Sequence, residues 1–396
     1  MNTKRILAKA GAIAISMSLL WANTAAACTS LLYTDSKGKV YYGRTMELQM
    51  ELPYHVVHFP KGTSFSSNAG EGHPPLKYES SHAILSITVP DVAPDGKEKP
   101  KLGDMKVVEG INDAGLTFSL LAYPSAEGPQ KQVEMTKSIL DVMDLGTWML
   151  AQFETVAEVK SAIVKQPVVM EPVKVLKGAL PPFHFVAHDK TGASIVLEFT
   201  DGKGAVHDNP VGVMTNGPEF QWHLTNLSNY SFLSNVDKES GSFNGFKVAQ
   251  PDSGIATQGL PSSDTSVGRF VKAAYYSTYA QKVDDPDLAV KTTGHIMNNF
   301  DRPKNISVSN AGEGSALSSG LGADPNSTST EYTSWTTLAD LDRGYYFIRT
   351  YEGINYSKFD TKKLFKQTVP LIMPLKTLDE VTDYDLTQKL IDSKVQ

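Results

Sequence analysis

One cysteine, Cys28, stands among 396 residues, so no internal disulfide can staple this chain. Whatever it folds into must be held by burial and hydrogen bonding, which a chain of this length can supply. The cysteine sits where a targeting segment ends. Lys4, Arg5 and Lys9 form a basic start, Ala10 to Trp21 carries no charge, and Ala25-Ala26-Ala27 supplies the small residues that a signal peptidase accepts. The apolar stretch is too short to span a bilayer, which argues against a membrane anchor. Residues 1–27 therefore read as a signal peptide, and residues 28–396 as a single exported domain, periplasmic or secreted.

Losing the three basic residues of the leader takes the formal net charge from −6 to −9. An acidic chain without a basic patch is not built for nucleic acid or for an anionic membrane. The nine histidines form no HExxH and there is no CxxC, so neither metal nor cofactor is expected. His184, His188 and His223 read as strand or loop residues with satisfied hydrogen bonds.

A lone cysteine in an oxidising compartment is a buried bystander, an intermolecular bridge, a lipid attachment site or a reactive group. Lipidation would make the protein an anchored, non-catalytic binder, but the alanines before Cys28 lack the leucine usually found three residues ahead of a modified cysteine. The reactive option has a chemical logic. Cleavage after Ala27 puts a thiol and a new α-amino group on one residue. The amine titrates near about 8, so at neutral pH part of it is an uncharged base beside the nucleophile.

The flanking sequence fits a strand that ends at that nucleophile. CTSLLYT and VYYGRTME are β-rich runs joined by a turn at DSKGK, a hairpin that brings Arg44 back toward Cys28. A guanidinium near the sulfur favours thiolate, and a carboxylate from Glu47 near the amine orients it; an inconsequential surface Arg–Glu pair is the alternative.

These residues resemble the opening of the choloylglycine hydrolase family, the N-terminal-nucleophile cysteine hydrolases that include conjugated bile acid hydrolases and penicillin V acylases. Further blocks follow in the same order: EGINDAGLTFSLLAYP (109–124), LEFTDGKGAVHDNPVGVMTNGPEFQWHLTNLSNY (197–230) and LPSSDTSVGRFVKAAY (260–275). The resemblance implies an α+β fold, a four-layer αββα sandwich. It implies Cys28 as nucleophile, Arg44 beside it, Asn216 as a side-chain oxyanion donor and Arg269 as an arginine of the site. The second oxyanion donor aligns to the backbone N–H of Ala122, where relatives carry asparagine or tyrosine. Glu47 replaces the aspartate of many members. The implied reaction is hydrolysis of a linear carboxamide through a thioester, without cofactor. Penicillin V-type substrates are favoured, with conjugated bile acids and N-acyl homoserine lactones as alternatives. A homotetramer is also implied.

The remainder reads as scaffold. Ile139, Leu140, Val142, Met143, Met149, Leu150 and Phe153 recur at helical spacing, and Thr155 to Glu158 forms a capping box for a second helix. TEYTSWTTLADLDRGYYFIRTYE reads as a hairpin. Lys61–Asp104 and Ser315–Ser327 read as pocket-walling loops. Arg269 taken alone reads as a solvated helix residue.

Overall fold

The computed structural model describes residues 27–70, 73–93, 100–128, 138–311, 324, 326–380 and 387. The main-sheet strands are, in chain order, β1 (Ala27–Thr34), β2 (Val40–Leu48), β3 (His55–Phe59), β4 (Ile84–Pro90), β5 (Met105–Asn112), β6 (Thr117–Ala122) and β7 (Phe183–His188). They continue with β8 (Ser194–Thr200), β9 (Lys203–Asp208), β10 (Val213–Met214), β11 (Tyr332–Asp340), β12 (Tyr345–Thr350), β13 (Ser357–Asp360) and β14 (Leu371–Pro374). A six-stranded sheet has the order β10-β1-β2-β11-β12-β13, and an eight-stranded sheet the order β9-β8-β7-β6-β5-β4-β3-β14.

The helices α1 (Leu145–Gln152) and α2 (Val156–Ile163) cover the outer face of the eight-stranded sheet. After α3 (Phe220–Asn226) come α4 (Ser266–Tyr279) and α5 (Pro286–Met297), which cover the six-stranded sheet. The result is the four-layer αββα sandwich. Both faces of β1 and β2 are buried, so their apolar residues run on rather than alternate. Gly43 on β2 faces α5 so closely that a Cβ there would lie 2.7 Å from Met297. A side chain at that position would force the Met297 side chain to shift.

The expected hairpins form. β1 and β2 pair with Ser30 opposite Arg44 and Cys28 opposite Met46, and their turn uses a positive φ at Gly38, where glycine avoids strain. β11 and β12 pair as read from the sequence. Thr155 caps α2 in a complete capping box with Glu158.

Two readings need correction. Ile139 and Leu140 do not belong to a helix: Leu140–Asp141 pairs with Val168–Val169 as a short strand, and the helix begins only at Leu145. The Asp141 carboxylate accepts the Met143 N–H and starts a separate 3₁₀ turn, so the helical spacing crosses an element boundary. Lys61–Asp104 is not loop throughout, since it holds the hairpin Ser64–Ser67/Leu76–Glu79 and β4. Its period-2 alternation outweighs the flanking Pro and Gly. Ser315–Ser327 lies almost wholly outside the described residues, as does the proposed leader except for Ala27.

Candidate active site

Strand alternation sorts the residues around Cys28 onto two faces. Cys28, Arg44 and Met46 point between the two sheets, and Glu47, at odd spacing from Arg44, lies on the helix side. Arg44 and Glu47 are both fully buried and do not form a surface pair. Arg44 Nη2 lies 3.7 Å from Cys28 Sγ and donates to the Leu120 carbonyl at 2.8 Å. Its Nε is 3.4 Å from Glu109 Oε2 on β5, and the guanidinium sits 4.5 Å from the Trp335 ring. Met46 Sδ is also 3.7 Å from the sulfur.

With Ala27 still attached, burial pushes the Cys28 thiol up to about 11. Arg44, Arg269 and a hydrogen bond from the Ala122 backbone N–H each work against that rise, while Glu47 adds to it. Ala122 ends β6 with its backbone N–H beside the sulfur, the place where the family resemblance implies an oxyanion donor.

Asn216 approaches from the loop after β10. Its Oδ1 accepts from the Cys28 backbone N–H at 2.8 Å and from Arg269 Nη2 at 2.6 Å. Its Nδ2 donates to the Ala122 carbonyl at 2.8 Å, leaving its second hydrogen for another acceptor. Arg269 is only 1% exposed, which removes the solvated-helix reading. It projects from the first turns of α4 onto the carbonyl of Cys28 and onto Thr29 Oγ1. Glu47 Oε1 accepts from Thr333 Oγ1 at 3.2 Å, and its Oε2 has no hydrogen-bond partner among the described residues. Burial pushes that carboxyl up to about 7, with Arg269 pulling it back. All six expected residues thus converge on the end of β1.

A cavity of about 50 Å³ opens beside Cys28, lined by Met46, Leu120, Met143, Val173 and Phe183 among others. Among its described lining side chains, only Tyr54 and Cys28 are not purely apolar. A larger cavity of about 600 Å³ shares Leu52 and Tyr54 with it. The smaller one touches the sulfur, so it is the one relevant to chemistry at Cys28.

Sequence reasoning missed Glu109 as the partner of Arg44, and missed Trp335. A charge inside the apolar run KVVEGIN was the available signal, because a buried carboxylate demands a partner. The three histidines also do more than fill strands and loops. His223 lies on α3 rather than in a strand or loop, and Nδ1 of both His188 and His223 lacks a partner among the described residues. Those residues hold no cluster of three or more metal-ligating side chains.

The family model for linear amide C–N hydrolases of the choloylglycine hydrolase family matches residues 28–382. A conjugated bile acid hydrolase of Lactobacillus acidophilus is 33% identical over 255 residues, spanning 63% of this chain and 73% of that protein. The penicillin V acylase of Pectobacterium atrosepticum is more distant, 24% identical over 380 residues, spanning 92% and 88%. A solved conjugated bile acid hydrolase mutant from Clostridium perfringens superposes with a TM-score of 0.71 at 22% identity, covering 87% of this chain and 96% of that one. This chain belongs to the choloylglycine hydrolase family of linear amide C–N hydrolases.

Proposed function

We propose that the protein is exported, trimmed after Ala27, and hydrolyses a linear amide through a thioester on Cys28. The observation that carries this reading is the convergence on one buried cysteine at a strand end of Arg44 and the Ala122 N–H, beside its sulfur, and of Asn216, at its backbone nitrogen. The match to the family model begins at Cys28 itself, which supports the cleavage point. The Clostridium perfringens homologue was solved as a cysteine-to-alanine mutant and as an arginine-to-leucine variant, at positions separated by 16, the separation of Cys28 and Arg44.

In the trimmed chain the uncharged α-amine takes the thiol proton, and the thiolate attacks the amide carbon. The oxyanion is held by the Ala122 N–H and the free Nδ2 hydrogen of Asn216. The C–N bond breaks as the protonated amine returns its proton to the leaving nitrogen, and a thioester remains. Water, deprotonated by the same amine, then releases the acid. The new ammonium keeps Asn216 Oδ1 as an acceptor, and Glu47, whose Oε2 has no hydrogen-bond partner among the described residues, lies across from the preceding residue on the paired strand.

The apolar cavity supports a compact, apolar acyl group, as in penicillin V or an N-acyl homoserine lactone. Ring hydroxyls of a bile acid would find no partner among its described lining side chains save Tyr54. The greater identity to bile acid hydrolases favours a second reading, a conjugated bile acid. Side-by-side turnover of penicillin V, glycocholate and a long-chain N-acyl homoserine lactone by protein whose mass establishes Cys28 as the first residue tests both. Cys28→Ser is expected to keep the fold and lose more than about 100-fold in turnover, because a hydroxyl is far harder to ionise than a thiol. Full activity in that variant, or a first residue other than Cys28, overturns the proposal.

A further inference from the structure

Thr215 and Asn216 are tethered through both of their backbone carbonyls. His184 Nε2, on β7, lies 2.9 Å from the Thr215 carbonyl, and His223 Nε2, on α3, lies 2.8 Å from the Asn216 carbonyl. A carbonyl only accepts, so each of those nitrogens carries a proton. His184 Nδ1 faces Glu198 Oε1 on β8 at 3.1 Å. The same carboxylate accepts the Phe220 N–H at the start of α3, at 3.0 and 3.1 Å to its two oxygens. His184, Glu198 and His223 are each at most 2% exposed.

Two acceptors thus flank one imidazole. The Glu198 carboxyl faces Nδ1 and the Thr215 carbonyl faces Nε2. The ring is held flat by Tyr123, stacked at 4.9 Å with an interplanar angle of 4°. On the other side, burial holds His223 down to about 4, so it is a neutral ring with one proton, spent on the Asn216 carbonyl. Its face stacks on Phe270 of α4, at 4.5 Å. The peptide groups on both sides of the Asn216 Cα are therefore anchored to β7 and α3.

We infer that Glu198 and His184, with His223, form a positioning device that fixes the backbone of Asn216 so that its side chain meets the developing oxyanion. This rests on Asn216 being the oxyanion donor of the proposed reaction. An oxyanion donor acts only on charge that appears in the transition state, so slack in its backbone lowers kcat and leaves substrate affinity alone. None of the three side chains touches the cavity beside Cys28.

Glutamine and asparagine separate the two ends of His184. The terminal amide of His184→Gln reaches the Nε2 position and still donates to the Thr215 carbonyl. That of His184→Asn reaches only the Nδ1 position, facing Glu198. Steady-state kinetics of both variants and of Asn216→Ala, run in parallel on penicillin V, glycocholate and a long-chain N-acyl homoserine lactone, form the test. On the substrate that is turned over, His184→Gln is expected to keep kcat within about threefold, and His184→Asn to lose about 10- to 100-fold with KM moved less than about twofold. Asn216→Ala is expected to lose about 100- to 1000-fold. Equal kcat in the two His184 variants, or a loss confined to KM, overturns the positioning role while the reaction stands. Full kcat in Asn216→Ala overturns the reading of the reaction and the inference with it. Should His184→Asn fail to fold by near-ultraviolet circular dichroism, His223→Gln against His223→Asn carries the same comparison, and equal kcat there overturns the inference.

Discussion

Arg44 owes its place to Glu109. The carboxylate on β5 is fully buried, accepts hydroxyl protons from Thr337 and Tyr346 at 2.5 Å each, and faces the guanidinium. Removing one member of such a pair strands the other charge in a poorly solvated interior, at a cost of about 3–5 kcal/mol. Glu109→Gln is expected to destabilise the protein by that amount in urea titrations. It is also expected to move the pH midpoint of Cys28 alkylation by iodoacetamide downward, because the field of Arg44 at the sulfur is no longer opposed. Loss of stability without that shift would assign Glu109 to packing alone.

At the scale of elements, polar ties join the inner faces of the two sheets: Ser30 to His188 at 3.0 Å, Tyr42 to Ser119 at 2.5 Å, and Arg44 to Glu109. His188 is fully buried on β7, and burial pushes its imidazole down to about 3 from an ordinary 6.5. The unfolded chain therefore takes up this proton first as pH falls, so the contribution is fully present above 6.5 and drains away toward 3. By linkage the loss is bounded at about 4–5 kcal/mol. Urea titrations between pH 7 and 4 should show His188→Gln losing less stability than the native protein over that range, and equal slopes would refute the buried neutral ring. Such ties explain what the sequence left unread. The hairpins, the capping box of α2 and the placing of Arg44 near Cys28 follow from local patterns of turn residues and alternation. Glu109 acquires meaning only when strands far apart in the chain meet, and no local pattern names its partners.

For the whole molecule, the αββα layering was legible because family blocks in order imply it, and because strand-rich segments flank helical ones. The boundary at Leu145 and the strands within Lys61–Asp104 were not, since Asp141 and the Pro- and Gly-rich flanks obscured the change of period. Beyond the sandwich, the hairpin Ser240–Phe243/Phe246–Ala249 stands out with Phe243 and Phe246 each 73% exposed. Two such rings in water suit a covered position. The homotetramer implied by family resemblance predicts a sedimentation mass near four chains, falling when both rings are replaced by serine; a monomer in the native protein would refute it.

Ala27 is itself the first residue of β1, buried and in register with Glu47. The bond between Ala27 and Cys28 thus lies inside a paired strand. In the proposed reaction that bond locks the amine in a peptide, and the thiol has no base beside it while the bond is intact. Cutting that one bond would free nucleophile and base together, so under the proposed reaction maturation and activation are a single event.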